Sequence, residues 1–217
     1  MKNKNKLLNN KRLKILKKAK RHIPFDGWNE KIFLTLAKEL EISASEINFL
    51  FPKNYKDLLD LYLEEKENQM IKGVKKLNFS NLRTQEKLSQ IIMLRIKKNS
   101  SEKELVRKTF FYLSLPQNCI LGISSIFRTV DNIWYLTGDK TSDFNYYTKR
   151  IILAGIYSSV LLFWLNRGNK SLKETEDFLI KKIKKTSIVK KIKNSFIEVL
   201  KDTPNMTNLT EKFRKLF

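Results

Sequence analysis

An uncharged run of 15 residues, from Ile151 to Leu165, limits the fold of this chain more than any other feature. A helix that is apolar all round must be surrounded by protein or by lipid. The run is shorter than the about 20 residues that a membrane-spanning helix needs. We therefore expect a central or interface helix and no transmembrane span.

The run belongs to a predicted pair of helices between Pro116 and Leu165, joined by the loop Gly138-Asp139-Lys140. The second helix should begin at Ser142 or Asp143, because Ser and Asp side chains accept bonds from the free N–H groups of a first turn. Aromatic side chains gather near this loop. The rest of the chain is expected to be organised around this pair.

The remaining sequence also predicts helices. Only 6 glycines and 4 prolines interrupt it, and no stretch alternates apolar and polar residues as a strand does. Capping boxes, with a Ser followed three residues later by a Glu, occur at Ser43, Ser101 and Ser171. We predict an all-α protein of about nine or ten helices.

Four segments are predicted along the chain: a basic arm (1–21), a helix-turn-helix-like part (22–76), a helical domain (77–187) and a C-terminal helix with a tail (188–217). The arm lacks the apolar core of a signal peptide and is expected to be solvated, becoming helical on an anionic surface. The last helix has an apolar stripe opposite lysines, which is typical either of a membrane-interface helix or of a helix packed on the body. Its stripe includes Val189, Ile192, Phe196, Val199 and Leu200.

The formal net charge of +22 has two interpretations. A basic surface attracts nucleic acid, anionic lipid or an acidic protein, but a composition rich in Lys, Asn and Ile explains much of the charge equally well. The outline of a helix-turn-helix spans 29–51, yet 41–52 contains no Lys or Arg and two glutamates. A recognition helix needs cations for phosphates and bases, so this one is expected to bury Ile47, Leu50 and Phe51 instead of reading DNA.

Motifs for catalysis or cofactors do not stand out. The single histidine, His22, has no motif partner, and the chain has no zinc, di-iron, P-loop or dinucleotide-binding pattern. The single cysteine, Cys119, is expected to be a buried small residue. We predict a non-enzyme with no cofactor and no metal; catalysis by paired carboxylates remains a lesser alternative, because such pairs are placed by the fold.

Trp134 and Tyr135 are adjacent and follow Asp131 by one helical turn. On a helix the two aromatic side chains point about 100° apart, so both cannot face the same neighbour. Trp and Tyr at a surface are typical anchors of protein interfaces. This patch either binds a partner protein or contributes to the core.

Several stretches together resemble the coenzyme Q nine family, the accessory lipid-binding proteins of ubiquinone synthesis. They are His22-Ile-Pro-Phe-Asp-Gly-Trp28, Leu50-Phe-Pro52, Leu115-Pro-Gln-Asn118, Arg128-Thr-Val-Asp-Asn-Ile-Trp134, Gly138-Asp139, Thr141-Ser-Asp-Phe-Asn145 and Tyr147-Thr-Lys-Arg150. The likeness covers roughly residues 20 to 186, and the block from Leu115 to Ser159 is its specific part.

The resemblance implies a homodimer with a TetR-regulator-like helical bundle, a degenerate helix-turn-helix and an apolar lipid cavity. It implies that a surface patch binds the di-iron hydroxylase of the ubiquinone pathway and that a C-terminal helix contacts the membrane. The partner-binding patch corresponds to Asp131, Trp134 and Tyr135, with Leu121 nearby. Helix faces suggest the cavity walls: Phe110, Leu113, Ile126, Phe127, Phe144, Tyr147, Ile151 and Leu161.

The leading hypothesis is a non-catalytic protein that binds polyprenyl quinone intermediates and presents them to the hydroxylase. No organelle transit segment is evident in the sequence, so we expect a cytoplasmic protein, peripheral at an anionic inner membrane. The alternative is a TetR-type, ligand-responsive regulator that binds DNA. An enzyme is the third hypothesis, disfavoured by the missing catalytic motifs.

Overall fold

The computed structural model describes residues 2–139, 144–168 and 170–186. This part of the chain contains nine α-helices and no strand, which confirms the all-α prediction. The helices are α1 (Lys2–Asp26), α2 (Lys31–Leu40), α3 (Ala44–Leu50), α4 (Tyr55–Val74), α5 (Thr84–Asn99), α6 (Lys103–Leu113), α7 (Cys119–Leu136), α8 (Phe144–Leu165) and α9 (Leu172–Thr186). Short 3-10 turns, Ser100–Glu102 and Pro116–Asn118, precede α6 and α7.

The chain divides into two compact units. The first comprises Met1–Asn78 and Leu94–Ser125, and the second comprises Phe79–Met93 and Ile126–Phe217, of which the description extends to Thr186. The division falls inside α5 and α7. The four segments predicted from the sequence were divided by expected role rather than by contacts between residues, and they stay a prediction.

The sequence predicted a solvated arm over residues 1–21, whereas the structure has a packed helix, α1, in this region. Its inner face buries Ile15, Leu16, Ala19 and Ile23 in the core of the first unit. Lysines between these positions hide the apolar spacing, which is why composition alone points to a free arm. The helix ends at Asp26 and is followed by Gly27, whose φ of +75° is accessible mainly to glycine and whose N–H donates to the Ile23 carbonyl at 2.9 Å.

The core of the first unit joins α1 to the helix-turn-helix-like α2–α3 pair and to α4 and α6. Ile47, Leu50 and Phe51 are buried there, which confirms the prediction that α3 serves packing. Trp28 donates from Nε1 to Thr109 Oγ1 at 3.1 Å. A buried ion pair joins Arg95 to Glu67 at 2.8 Å.

One of the three predicted capping boxes forms in full and one in part. Ser43 Oγ accepts a bond from the Glu46 N–H, while the Glu46 carboxylate binds Lys11 at 2.8 Å. Ser171 Oγ accepts a bond from the Glu174 N–H, and the Glu174 carboxylate accepts one from the Ser171 N–H. This bond from the Ser171 backbone is the largest cause of the lowered pKa of Glu174. Ser101 does not cap α6, because it lies inside the 3-10 turn and Glu102 is the residue that precedes the helix.

The second unit is built around α8. Leu153, Val160 and Trp164 of α8 are buried, and Phe163 stacks on Phe178 of α9 with ring centroids 4.3 Å apart. The helix runs for 22 residues and is thus longer than the uncharged run inside it. By length and composition alone Asn145–Leu165 is able to cross a membrane. The expectation of no transmembrane span was based on the 15-residue uncharged run, and the longer helix does not support that reasoning. The core helix of a soluble protein can have the same length and composition.

Candidate functional site

Opposite charges meet where α7 leads into α8. The guanidinium of Arg150 is almost fully buried; its Nε donates to Asp131 Oδ1 at 2.6 Å, and a nitrogen of the same group lies 3.8 Å from Asp139 Oδ2. The side chain of Asp139 is 9% exposed and that of Asp131 is 45% exposed. Arg150 therefore neutralises two carboxylates, one of which remains partly in water. We call Asp131, Asp139, Lys149 and Arg150 the charged corner.

Trp134 is attached to this corner. Its Nε1 donates to the Lys149 carbonyl at 3.2 Å, and the Lys149 ammonium lies 5.3 Å from the Trp134 ring centroid. Lys149 also binds Asp139 at 2.7 Å. The half-buried indole is thus held by α8 and contributes to the structure of the corner as well as to its surface.

Tyr146 also contacts the charged corner. Its hydroxyl donates to Asp131 Oδ1 at 2.9 Å, and the Arg150 guanidinium lies 3.3 Å from the centroid of its ring. Burial raises the pKa of Tyr146, and the hydrogen bond to the Asp131 carboxylate raises it further. The hydroxyl therefore stays protonated at neutral pH and acts as a donor, so the corner is a satisfied network that orients side chains.

Tyr135 is the exposed anchor of the predicted partner-binding patch. Its side chain is 76% exposed, whereas Trp134 and Asp131 are half-buried. Leu121 is also half-buried and packs against the core of the first unit. The structure thus brings Asp131 and Trp134 into one network beside Tyr135, while Leu121 has a packing role in its own unit.

The residues predicted to line a lipid cavity have different surroundings. Phe110 and Leu113 lie half-buried in the first unit, whereas Ile126 and Phe127 lie half-buried in the second. Leu161 is buried, Ile151 is 61% exposed and Tyr147 lies at the surface; the Phe144 side chain lies outside the described residues. The lipid-binding assignment stays a prediction.

An open groove of about 450 Å³ lies elsewhere, between α1 and α2, and none of the predicted lipid-binding residues lines it. Its walls include His22 and Glu39, which are joined by a 2.8 Å hydrogen bond. Lys18 also binds Glu39 at 2.7 Å. These two partners, Lys18 first, lower the pKa of Glu39 to about 2.

Sequence reasoning missed Arg150, Lys149, Asp139 and Tyr146 as members of one network. A usable signal was present, because Asp131 and Asp139 precede the loop and Lys149 and Arg150 follow it. Helices joined by a short loop place such charges close together. Burial of Arg150 is set by tertiary packing and has no local signature.

Several other predicted residues are placed differently or lie outside the description. The single cysteine, Cys119, is exposed rather than buried, because it begins α7 directly after a 3-10 turn at the surface. No cluster of three or more His, Cys, Asp or Glu side chains able to hold a metal occurs among the residues described. The predicted membrane-binding residues Val189, Ile192, Phe196, Val199 and Leu200 lie outside the described ranges.

Known proteins resemble this chain over most of its length. Residues 120–190 match the model of the COQ9 family. The "Probable ubiquinone biosynthesis protein coq9, mitochondrial" of Dictyostelium discoideum is 28% identical over 208 residues, covering 89% of this chain and 65% of that protein. The "Ubiquinone biosynthesis protein COQ9, mitochondrial" of Rattus norvegicus is 27% identical, covering 78% of this chain and 56% of that protein.

The corresponding protein of Schizosaccharomyces pombe is 26% identical and covers 88% of this chain and 76% of its own length. The chain thus spans less than two thirds of the length of the first two relatives. Among solved structures, a TetR transcriptional regulator from Nitrosomonas europaea superposes with a TM-score of 0.66 at 18% identity, covering 82% of this chain and 98% of that one. This likeness shows the fold and confirms the predicted TetR-like helical bundle. The resemblance to the COQ9 family, expected from the sequence motifs, is confirmed by the matches at residues 120–190 and along the relatives.

Proposed function

We propose that the protein is a non-catalytic accessory factor of ubiquinone biosynthesis that binds polyprenyl quinone intermediates. The observation that carries this proposal is the match of residues 120–190, which include the charged corner, to the COQ9 family. Relatives that match most of this chain are named as ubiquinone biosynthesis proteins. The lipid would be an isoprenoid whose tail needs shelter from water, because apolar burial contributes about 25 cal/mol per Å².

The protein would present its lipid to a membrane-associated di-iron hydroxylase, and the surface around Tyr135 would contact that partner. Support comes from the geometry of the patch. Tyr135 projects into solvent beside a neutralised carboxylate, and an exposed aromatic ring next to a satisfied charge suits the centre of a protein interface. Peripheral attachment at an inner membrane, as a homodimer, belongs to the same proposal.

Lipid cargo is the first test. The full chain, purified without detergent, is examined by native mass spectrometry and by organic extraction. We expect a bound isoprenoid or other lipid at about one molecule per protomer, since a polyprenyl tail is poorly soluble in water and stays with a protein that buries it. Absence of any lipid, while the protein stays dimeric, would contradict the proposal.

Partner docking is tested separately with Tyr135→Lys. The variant should weaken association with the purified hydroxylase by at least tenfold, because truncating an interface anchor commonly costs about 2 kcal/mol or more. Tyr135 is a better choice than Trp134, whose N–H is bonded to the Lys149 carbonyl. Phe49→Lys is the matched control, since Phe49 is also exposed, on α3 of the first unit. Equal affinities for wild type and Tyr135→Lys would remove the docking assignment.

A DNA-binding regulator is the alternative on the same fold. The α3 helix contains no Lys or Arg, and its first turn contains Glu46, which already binds Lys11 at 2.8 Å. These features disfavour contact with phosphates or guanine edges. A gel-shift assay with genomic fragments decides the question, because a regulator requires specific duplex binding.

A further inference from the structure

The helix α1 carries cations of two kinds. Those at its flanks are paired with glutamates of neighbouring elements: Lys11 binds Glu46 at 2.8 Å, and Lys18 binds Glu39 at 2.7 Å. Lys20 pairs with Glu65 and lies 3.5 Å from Glu102. The flanking cations thus hold α1 to α2, α3, α4 and the turn before α6.

A second set lies on the face opposite the core. Lys6, Lys14, Lys17 and Arg21 are exposed, and no ion pair joins them to another residue in the ranges that the structure describes. Their spacing keeps them on one side of the helix, opposite the buried stripe that contains Ile15 and Ala19. We call these four residues the outer cation row. At 1.5 Å per residue the row is about 22 Å long.

Apolar side chains border the outer cation row. Leu7 and Phe25 follow one margin and Leu13 follows the other, and all three are exposed, Phe25 by 83%. The first acidic residue of the chain is Asp26, at the end of the helix. This face therefore combines positive charge with exposed apolar side chains.

We propose that the outer cation row is a docking surface for an anionic phospholipid bilayer, with α1 lying parallel to the membrane plane. Cations contact lipid phosphates, while Leu7, Leu13 and Phe25 enter the headgroup region, as apolar groups of interfacial helices do. A nucleic acid fits less well, because the neighbouring α3 offers no cation and carries Glu46 in its first turn. The inference concerns α1 alone and requires neither the lipid cargo nor the hydroxylase.

The size of the effect follows from the charge count. A cation near an anionic membrane surface strengthens binding roughly fivefold, so four cations together contribute a factor on the order of several hundred. Salt weakens this attraction, since the Debye length is about 10 Å at 0.1 M and about 3 Å at 1 M. Binding through this face should therefore depend steeply on both anionic lipid and ionic strength.

The test is sedimentation of the full chain with vesicles of phosphatidylcholine containing 30% phosphatidylglycerol. The variant Lys6→Gln/Lys14→Gln/Lys17→Gln/Arg21→Gln should bind about a hundredfold more weakly than wild type in low salt. The control Lys56→Gln/Lys72→Gln/Lys75→Gln/Lys76→Gln removes the same charge from exposed lysines of the same unit, outside α1. It should lose less than about fivefold. Circular dichroism verifies that both variants retain their helices.

Four results would overturn the inference. Equal losses in both variants would mean that net charge alone governs binding. Wild-type affinity unchanged on pure phosphatidylcholine would mean that anionic lipid is not recognised. Tighter binding of wild type to duplex DNA than to vesicles, abolished in the α1 variant, would assign the row to nucleic acid. A loss of vesicle binding in Ile192→Asp/Phe196→Asp with none in the α1 variant would also overturn it while leaving the proposed function intact.

Discussion

Arg150 shows how much of this molecule depends on one side chain. Its guanidinium binds Asp131 and Asp139 and covers the ring of Tyr146, so the three groups share one cation. Burying an arginine is costly unless its donors and charge are satisfied, and this corner satisfies them through residues on both sides of the loop. The orientation of the Trp134–Tyr135 surface follows from that arrangement.

Replacing Arg150 by Met should lower the free energy of unfolding by about 2–3 kcal/mol, because it removes the buried cation that binds Asp131 at 2.6 Å and lies 3.8 Å from the buried Asp139 carboxylate. The value lies at the low end for a broken buried pair, since the Asp131 carboxylate is partly solvated. Lys149→Met is the matched control and should cost about 1 kcal/mol, because the Lys149 ammonium is more exposed. Urea denaturation measures both; equal costs would show that Arg150 has no special role.

Individual residues divide into those that the sequence identifies and those that it does not. Ser43 and Ser171 were identifiable as caps because a capping box is a local pattern of four residues. Ser101 has the same pattern and fails, since a 3-10 turn occupies its position. Trp134 and Tyr135 were recognisable as candidates, whereas the burial of Arg150 depends on contacts 11 and 19 residues away and leaves no local trace.

At the scale of elements, hydrophobic periodicity was sufficient to locate the helices after Trp28. The exception is α1, whose buried positions are separated by lysines and whose Pro24 falls inside the last turn. What places α1 is its contact with the other helices of the first unit, which bury its apolar face and, on α2, provide Glu39 to both Lys18 and His22. This contact is between elements and was not visible in either segment alone.

Glu39 makes the α1–α2 contact pH-dependent. The pKa of Glu39 is lowered from 4.5 to about 2 in the fold, so the charged carboxylate stabilises the folded state above pH 4.5, and this stabilisation is lost as the pH falls towards 2. The stability difference between wild type and Glu39→Gln should therefore shrink as the pH falls from 4.5 to 2. Thermal denaturation across this range measures it.

Glu41→Gln is the control for this experiment, since Glu41 is exposed and forms no ion pair within the described residues. Its stability difference from wild type should change less with pH than that of Glu39→Gln. A difference for Glu39→Gln that stays flat from pH 7 to 2 would mean that the Lys18 and His22 contacts do not hold the charged form.

At the scale of the whole molecule, α8 packs in the core of the second unit with one side and lies at the surface with the other. Opposite its buried residues it presents an uncharged stripe, made of Tyr147, Ile151, Gly155, Ser158 and Leu162. A Cβ atom added at Gly155 would meet no described atom within 4 Å, so the part of the chain that the structure describes leaves this face open. An open apolar stripe on a long helix marks an interface, and the proposed homodimer supplies a second copy to cover it.

Ile151→Arg should therefore shift the protein from dimer to monomer, because self-association would bury a charge in the middle of the stripe on both copies. The effect should be at least tenfold in the dimer dissociation constant, as for a central interface residue. Phe49→Arg is the control, since it places the same charge on an exposed apolar position of α3. Light scattering across a concentration series measures the change. A monomeric wild type, or a dimer equally stable in Ile151→Arg, would contradict the assignment of this face of α8 to a second copy. The lipid-binding prediction for Ile151 would then be the one to test there.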